Sequence, residues 1–228
     1  MIGGAIFDLD GTILDSMPIW DSAAEMFLDS IGVKAESGLS RFLFSMSMTE
    51  GAEFLKHRYC LDMDVDTIIA GVNNTIEDFY FYQVQLKEGV DQFLKGMKQA
   101  GIKMVIATAS DRLLVERALE RLNVLSCFGR IFTCTEIGAG KEKPDIYLAA
   151  AEFMGTLPEN TWVFEDALYA IRTAKSAGFK TVGVYDAYSV DDADEIKRIS
   201  DIYLSKLDNI DAFFEEVSFF KERISFNY

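Results

Sequence analysis

Apolar residues recur along this chain in two rhythms. Short, nearly continuous runs appear in "GGAIFDLD", "IKMVIATAS", "GRIFTC", "TWVFED", "FKTVGVYD" and "DIYLS", rich in β-branched and aromatic residues and closed by polar or glycine positions. Each predicts a strand buried on both faces. Between them the spacing changes to i, i+3, i+4, i+7: Val90, Phe93, Leu94 and Met97; then Val115, Ala118, Leu119 and Leu122; then Ala167, Ala170, Ile171 and Ala174. These are one-sided helical stripes, and strands alternating with helices predict an α/β fold with a parallel sheet covered on both faces.

One interval breaks the alternation. From about Met17 to Gln85 nothing has the pattern of a strand, while Trp20, Ala23, Ala24, Phe27 and Ile31 form a helical stripe. Residues 49–59 and 64–82 predict further helices. The first and second strands are therefore separated by an all-helical insert. Pro18 suits a first helical turn, and "QLKEG", ending at Gly89, suits the return joint. The expected division is a core of residues 1–16 and 87–228 and an insert of residues 17–86. The aromatic tail "FFEEVSFFKERISFNY" is expected to pack as a closing helix.

Composition narrows the functions. With 228 residues and 50% apolar content the chain can build a real core. A formal charge of -15 opposes binding to a nucleic acid backbone or an anionic membrane, and no basic cluster offsets it. No apolar run approaches the roughly 18 residues of a membrane span. The three cysteines are odd in number and lack metal-ligand spacing, and no basic-then-apolar leader precedes the first strand, so a reduced, cytoplasmic protein is expected. The single histidine, His57 in "EFLKHRYCL", is expected on a solvated helix face, which leaves no histidine-based triad or metal site.

The candidate chemistry gathers at strand ends. In "AIFDLDGTILDS" a core strand runs into Asp8 and Asp10. Strand alternation points both the same way, and like charges held close need a cation or a proton between them. Thr108-Ala109-Ser110 closes "KMVIA", Glu165-Asp166 closes "TWVF", and "GKEKPDIY" places Lys141 and Lys143 just before a helix. Parallel strands bring such ends to one edge, where open α/β sheets bind ligands. Several acids, a hydroxyl, a lysine and room for a hard cation suit phosphoryl transfer. Competing motifs fail on spacing. An EF-hand loop counted from Asp8 would need Asp or Asn and then Gly where Thr12 and Ile13 stand. A P-loop would need Gly at Thr135 and Ser or Thr at Glu142. The sequon Asn73-Asn74-Thr75 is idle in a cytoplasmic chain.

From "DLDGT" through "IATAS" and "GKEKPDIYLAA" to "VFEDALYAIRTAKSAG", the chain resembles the haloacid dehalogenase-like superfamily, specifically the β-phosphoglucomutase-like phosphatases with a helical cap. The resemblance implies a Rossmann-like core with the helical insert as a mobile cap. It implies Asp8 as nucleophile, Asp10 as general acid/base, Thr108 with Ala109 as phosphate contacts, and Lys141 as the phosphate-neutralising lysine. It also implies Mg²⁺ as cofactor, held by Asp8, by Asp10 through its backbone carbonyl, and by Asp166, with Glu165 beside them either directly or through water. Lys141 fits the family's Lys-x-x-Pro-Asp spacing through Pro144 and Asp145, and Lys143 is the weaker match.

The expected function is a Mg²⁺-dependent phosphatase of a small phosphorylated metabolite, acting as a monomer without nucleic acid or membrane partners. A dehalogenase has no use for Asp10, because halide leaves without protonation. A phosphosugar mutase of the β-phosphoglucomutase type is the alternative. Against it, Trp20 stands where the mutases carry His, and "FLFSMSMTEG" offers Met and Phe where they carry an Arg for a second phosphate. A non-catalytic phosphate-binding protein would have no need of an intact Asp8, Asp10, Lys141 and Asp166. Phe42, Phe44, Met46, Met48 and the tyrosines of "DFYFYQ" either fill the core of the cap, the commoner role for such a stripe, or line a pocket under it. As pocket lining, Phe42, Phe44 and Met48 would rank the substrates.

Overall fold

The computed structural model describes residues 2–43 and 46–225. The chain runs β1 (Gly4–Phe7), α1 (Met17–Ser30), α2 (Leu39–Leu43), α3 (Met48–Tyr59), α4 (Val65–Asp78), a π-helical turn (Phe79–Gln83) and α5 (Val90–Gln99). It continues through β2 (Lys103–Thr108), α6 (Arg112–Arg121), β3 (Ile131–Thr133), α7 (Cys134–Ile137), α8 (Asp145–Met154), β4 (Thr161–Glu165) and α9 (Leu168–Ser176). Last come β5 (Lys180–Val184), a 3-10 turn (Ala187–Asp192), α10 (Ala193–Ile199), β6 (Ile202–Leu204) and α11 (Ile210–Ser225). All six expected strands form, in one parallel sheet of order β3-β2-β1-β4-β5-β6.

The continuous apolar runs are buried on both sides for the reason their pattern implies. In β1, Ala5 and Phe7 turn to a face packed by Phe93, Val115, Leu119 and Phe213, whereas Ile6 turns to the opposite face with Val105, Val163, Ile146 and Met154. Strand pleating sends alternate residues to two separate cores. Phe7 stacks on Phe164 with ring centroids 4.3 Å apart, and Phe213 of α11 packs within 5.6 Å of both Phe93 and Phe164. The aromatic tail is thus a closing helix, as expected, with Phe213 inside and Phe219 exposed.

β1 lies where the strand order reverses, between β2 and β4, with Phe7 level with Ile106 and Phe164. The crevice beyond such a switch point is where a doubly wound sheet takes its ligand. β1 ends sooner than the alternating pattern predicts. The Asp8 N–H still reaches Phe164 O at 2.9 Å, but Leu9 O then accepts from both Ile13 and Leu14 N–H, curling the chain into a turn. Asp8 and Asp10 therefore leave the ladder, and strand alternation does not set their directions.

Between β1 and β2 the described residues form helices and turns and no strand, with isolated β-bridges from Leu14 to Asp10 and to Leu86. Outgoing and returning chain pair with each other: Asp15 N–H donates to Gln85 O at 3.0 Å and Lys87 N–H to Ile13 O at 2.9 Å. Gly89 begins α5 at φ +83°, where a Cβ would come within 2.3 Å of Asp208 Cβ. Only glycine fits that return joint. His57 is exposed on α3, as expected.

Removing a fully packed aromatic leaves a cavity that its neighbours fill only in part. Phe213→Ala is expected to lower the unfolding free energy by about 3–5 kcal/mol, measured by urea denaturation. Phe219→Ala, on the same helix but 63% exposed, is expected to change it by less than about 0.5 kcal/mol. Equal losses at both positions would contradict the packing described.

Candidate active site

The ends of β1 and β4 and the loop before α8 meet in a buried ionic cluster. Asp8, just past β1, accepts a charge-assisted hydrogen bond from Lys141 Nζ on its Oδ1. The same ammonium reaches Glu165 Oε1 at 2.7 Å, and Tyr147 of α8 donates its hydroxyl to that oxygen at 2.8 Å. Asp166 accepts from Ser189 Oγ at 3.1 Å and lies 3.5 Å from Thr12 Oγ1. Carboxylate oxygens of Asp8, Glu165 and Asp166 lie within 4.8 Å of one another. Gly11 allows this approach: at φ +86° its absent Cβ would fall 2.6 Å from Asp166 Oδ2. Lys141 is the lysine of the cluster, while Lys143 is exposed.

Electrostatics follow from one ammonium set among three buried carboxylates. Burial raises the pKa of Asp8 against the opposing pull of Lys141, and pushes Glu165 up to about 7. Asp166, raised by burial and then by Asp8 and Glu165, stands well above the ordinary carboxylate range. Burial alone would draw Lys141 down, but Asp8 and Glu165 outweigh it and hold its proton firmly. The cluster is short of positive charge. In addition, Asp8 Oδ2 is buried without a hydrogen-bond partner among the described residues. An oxygen-only donor set with one unsatisfied carboxylate oxygen fits a hard divalent cation such as Mg²⁺.

Asp10 does not join this cluster through its side chain. Its Oδ1 accepts from Ser16 Oγ at 2.6 Å and from Tyr80 OH, and its Oδ2 accepts from Ser110 Oγ. Burial, followed by the charge of Asp10, keeps the Tyr80 phenol well above its usual range, so it stays protonated. Thr108 is buried at the end of β2, where its Oγ1 accepts the Ser110 N–H at 3.0 Å. Ala109 and Ser110 line the cavity there.

A cavity of about 780 Å³ extends from Asp8, Asp10 and Lys141 into the insert, where Trp20, Met46 and Met48 line it. Phe42 is not on that wall. It is 56% exposed and stacks on Phe54 at 6.2 Å, and Phe44 lies outside the described residues. Of the "DFYFYQ" tyrosines, Tyr80 is buried against Asp10 and Tyr82 is 71% exposed.

The strand-end motifs thus bring together Asp8, Lys141, Glu165 and Asp166, with Asp10 on the same cavity. Several participants were not assigned from sequence. Ser16, Ser110 and Tyr147 stand inside the quoted motifs, so their hydroxyls were a usable signal. Ser189 on the 3-10 turn had none. Lys87, inside "QLKEG", donates to Tyr185 O at 2.6 Å, to Asp186 Oδ2 at 2.9 Å and to Gly11 O, tying the turn after β1 to the end of β5.

Residues 5–184 match the family described as haloacid dehalogenase-like hydrolase. The chain is 26% identical over 206 residues to a phosphorylated carbohydrates phosphatase of Thermotoga maritima, covering 90% of this chain and 94% of that one. It is 29% identical over 221 residues to the β-phosphoglucomutase of Bacillus subtilis, covering 89% and 92%. The fold resembles the crystal structure of β-phosphoglucomutase from Clostridium difficile with a TM-score of 0.79, at 21% identity and covering 99% and 100% of the two chains. The chain belongs to the haloacid dehalogenase-like hydrolase family, among its β-phosphoglucomutase-like phosphatases.

Proposed function

We propose that this protein hydrolyses a small phosphomonoester, a sugar phosphate or similar metabolite, through an aspartyl phosphate formed on Asp8. The observation that carries this is the state of Asp8: a buried carboxylate anchored on one oxygen by Lys141, unpartnered on the other, and on the wall of a cavity shared with Asp10.

In the first step the Asp8 carboxylate forms a bond to phosphorus as the ester P–O bond breaks, and Asp10 hands its proton to the departing alkoxide. In the second, Asp10 takes a proton from water as that water attacks phosphorus, and the Asp8 carboxylate leaves with inorganic phosphate as product. Lys141 holds Asp8 in place and offsets phosphate charge. Thr108 and Ala109, at the end of β2, would meet phosphate oxygens, with Ser110 beside them on the cavity wall. Asp8, Glu165 and Asp166 would hold Mg²⁺, with the Asp10 carbonyl as a further donor. Magnesium, when bound, supplies the positive charge that lets an anionic carboxylate approach an anionic ester.

Residues 17–86 would act as a cap closing over a core of residues 1–16 and 87–228, hinged at the paired stretches near Asp15 and Leu86. The relatives' names support a sugar phosphate as substrate. Hydrolysis is preferred to mutase activity because the described insert residues on the cavity are mainly apolar, with Met46 and Met48 prominent where a second phosphate would need a cationic clamp. Free cysteines, Cys60 among them exposed, suit a cytoplasmic setting. No helix among the described residues is long and apolar enough to cross a membrane. A monomer is the proposed working form.

Asp8→Asn is expected to abolish turnover of every phosphomonoester. Asp10→Asn is expected to slow alkyl phosphates about 10²–10⁴-fold, the usual worth of a positioned proton donor. Steady-state assays on a panel of sugar phosphates, with product identity by NMR, test both the chemistry and the class. β-Glucose 1-phosphate should yield glucose and phosphate, and accumulation of glucose 6-phosphate would make the mutase assignment the right one. Exhaustive chelation should remove activity and Mg²⁺ restore it, while full activity with metal excluded by elemental analysis would refute the cofactor assignment. Substitution of Met46 or Met48 should reorder sugar phosphates by kcat/KM and leave acetyl phosphate hydrolysis nearly unchanged. An equal loss on all substrates would make these residues structural.

A further inference from the structure

A chain of hydrogen bonds runs from the insert into Asp10. Trp20 of α1 donates its indole N–H to Tyr80 OH at 2.5 Å, and Tyr80 bonds Asp10 Oδ1. An indole nitrogen can only donate, so the tyrosine oxygen is the acceptor in that pair, and its own proton goes to Asp10. The direction of the chain is fixed at its far end.

The backbone around Tyr80 is built to aim it. After α4 the helix widens into the π-turn Phe79–Gln83, a rare form that rotates the register of following side chains. Arg121, from core helix α6, closes that turn by donating to Val84 O and, at 3.4 Å, to Tyr80 O. Tyr80 is fully buried, with the Trp20 and Phe79 rings packed edge-on against it. A side chain so enclosed has little freedom to release Asp10 Oδ1.

The two oxygens of Asp10 are unequally engaged. Oδ1 takes both Ser16 and Tyr80, whereas Oδ2 takes Ser110 alone. We infer that Tyr80, oriented by Trp20, is the positioning residue of Asp10: it holds Oδ1 and so presents Oδ2 as the oxygen that gives and takes the catalytic proton. This rests on the assignment of Asp10 as the general acid/base. It gives Trp20 and the π-turn a role in the chemistry as well as in the insert's packing.

Leaving-group dependence separates this role from a packing role. Values of kcat/KM, which report the step up to departure of the alcohol, are measured for p-nitrophenyl phosphate and phenyl phosphate. The protein is compared with its Tyr80→Phe, Trp20→Phe and Asp10→Asn variants, with thermal midpoints recorded. p-Nitrophenolate leaves without help and phenolate needs the proton. Tyr80→Phe keeps the ring and should lower phenyl phosphate turnover at least about tenfold, with p-nitrophenyl phosphate changed less than about twofold, a part of the full effect expected for Asp10→Asn. Trp20→Phe should move in the same direction by less. The double variant should match Tyr80→Phe alone, because the indole acts through the tyrosine oxygen. If Asp10→Asn is selective but Tyr80→Phe lowers both substrates equally or neither, Tyr80 is packing and the inference falls while the acid assignment stands. If Asp10→Asn is itself unselective, both fall. Should Tyr80→Phe fail to fold, Trp20→Phe carries the same comparison, and an unselective result there overturns the inference.

Discussion

The site depends on one ammonium group. Lys141 is buried, carried on the loop before α8, and bonded to both Asp8 and Glu165. Three carboxylates at the ends of two adjacent strands repel one another in a medium that screens charge poorly, and a single lysine cannot neutralise them. Burial first, and then the mutual repulsion of the carboxylates, raises their pKa values, and one Asp8 oxygen is left unpartnered among the described residues. An acidic cluster short of positive charge fits the divalent cation proposed for it. Structural economy alone would not gather these groups, since a buried charge cluster adds little to stability compared with apolar packing of the same volume.

The fold provides the rigidity that this arrangement needs. β1 and β4 are central strands, buried on both faces by aromatic and aliphatic packing, so the Asp8 and Glu165 backbones start from fixed positions. The loop after β1 is then held from three sides: by its own turn at Leu9, by Lys87 on the Gly11 carbonyl, and by the hydroxyls that surround Asp10. Asp8, Lys141, Glu165 and Asp166 stand on strand ends and loops of the sheet, whereas much of the remaining cavity wall comes from the segment between β1 and β2. Asp10 is where the two meet, because one of its partners, Tyr80, comes from the helical segment between β1 and β2.

Much of this was legible in the sequence because the signals were local. An apolar run such as "AIF" or "TWVF" needs burial on both sides, and only a covered parallel sheet supplies it. The carboxylates that follow those runs had to lie at the sheet edge. Lys141 was distinguished from Lys143 by the family's spacing, and the structure buries the first and exposes the second. What could not be read depends on register or on distant chain. Whether Tyr80 or Tyr82 turns inward is decided by the π-turn, which the periodicity of residues 64–82 does not reveal. The early end of β1 follows from a turn at Leu9, so Asp8 and Asp10 reach one cavity without strand alternation aiming them.

The central claim is that Asp8 becomes covalently phosphorylated, and the most direct measurement is capture of that adduct. An Asp10→Asn variant mixed with p-nitrophenyl phosphate should release one equivalent of p-nitrophenolate in a burst, because the first step needs no proton and the second lacks its base. Quenching during the burst, reducing with borohydride and sequencing peptides by mass spectrometry should find homoserine at position 8 and nowhere else. A burst with an unmodified Asp8, or with the reduced residue at another carboxylate, would contradict the account.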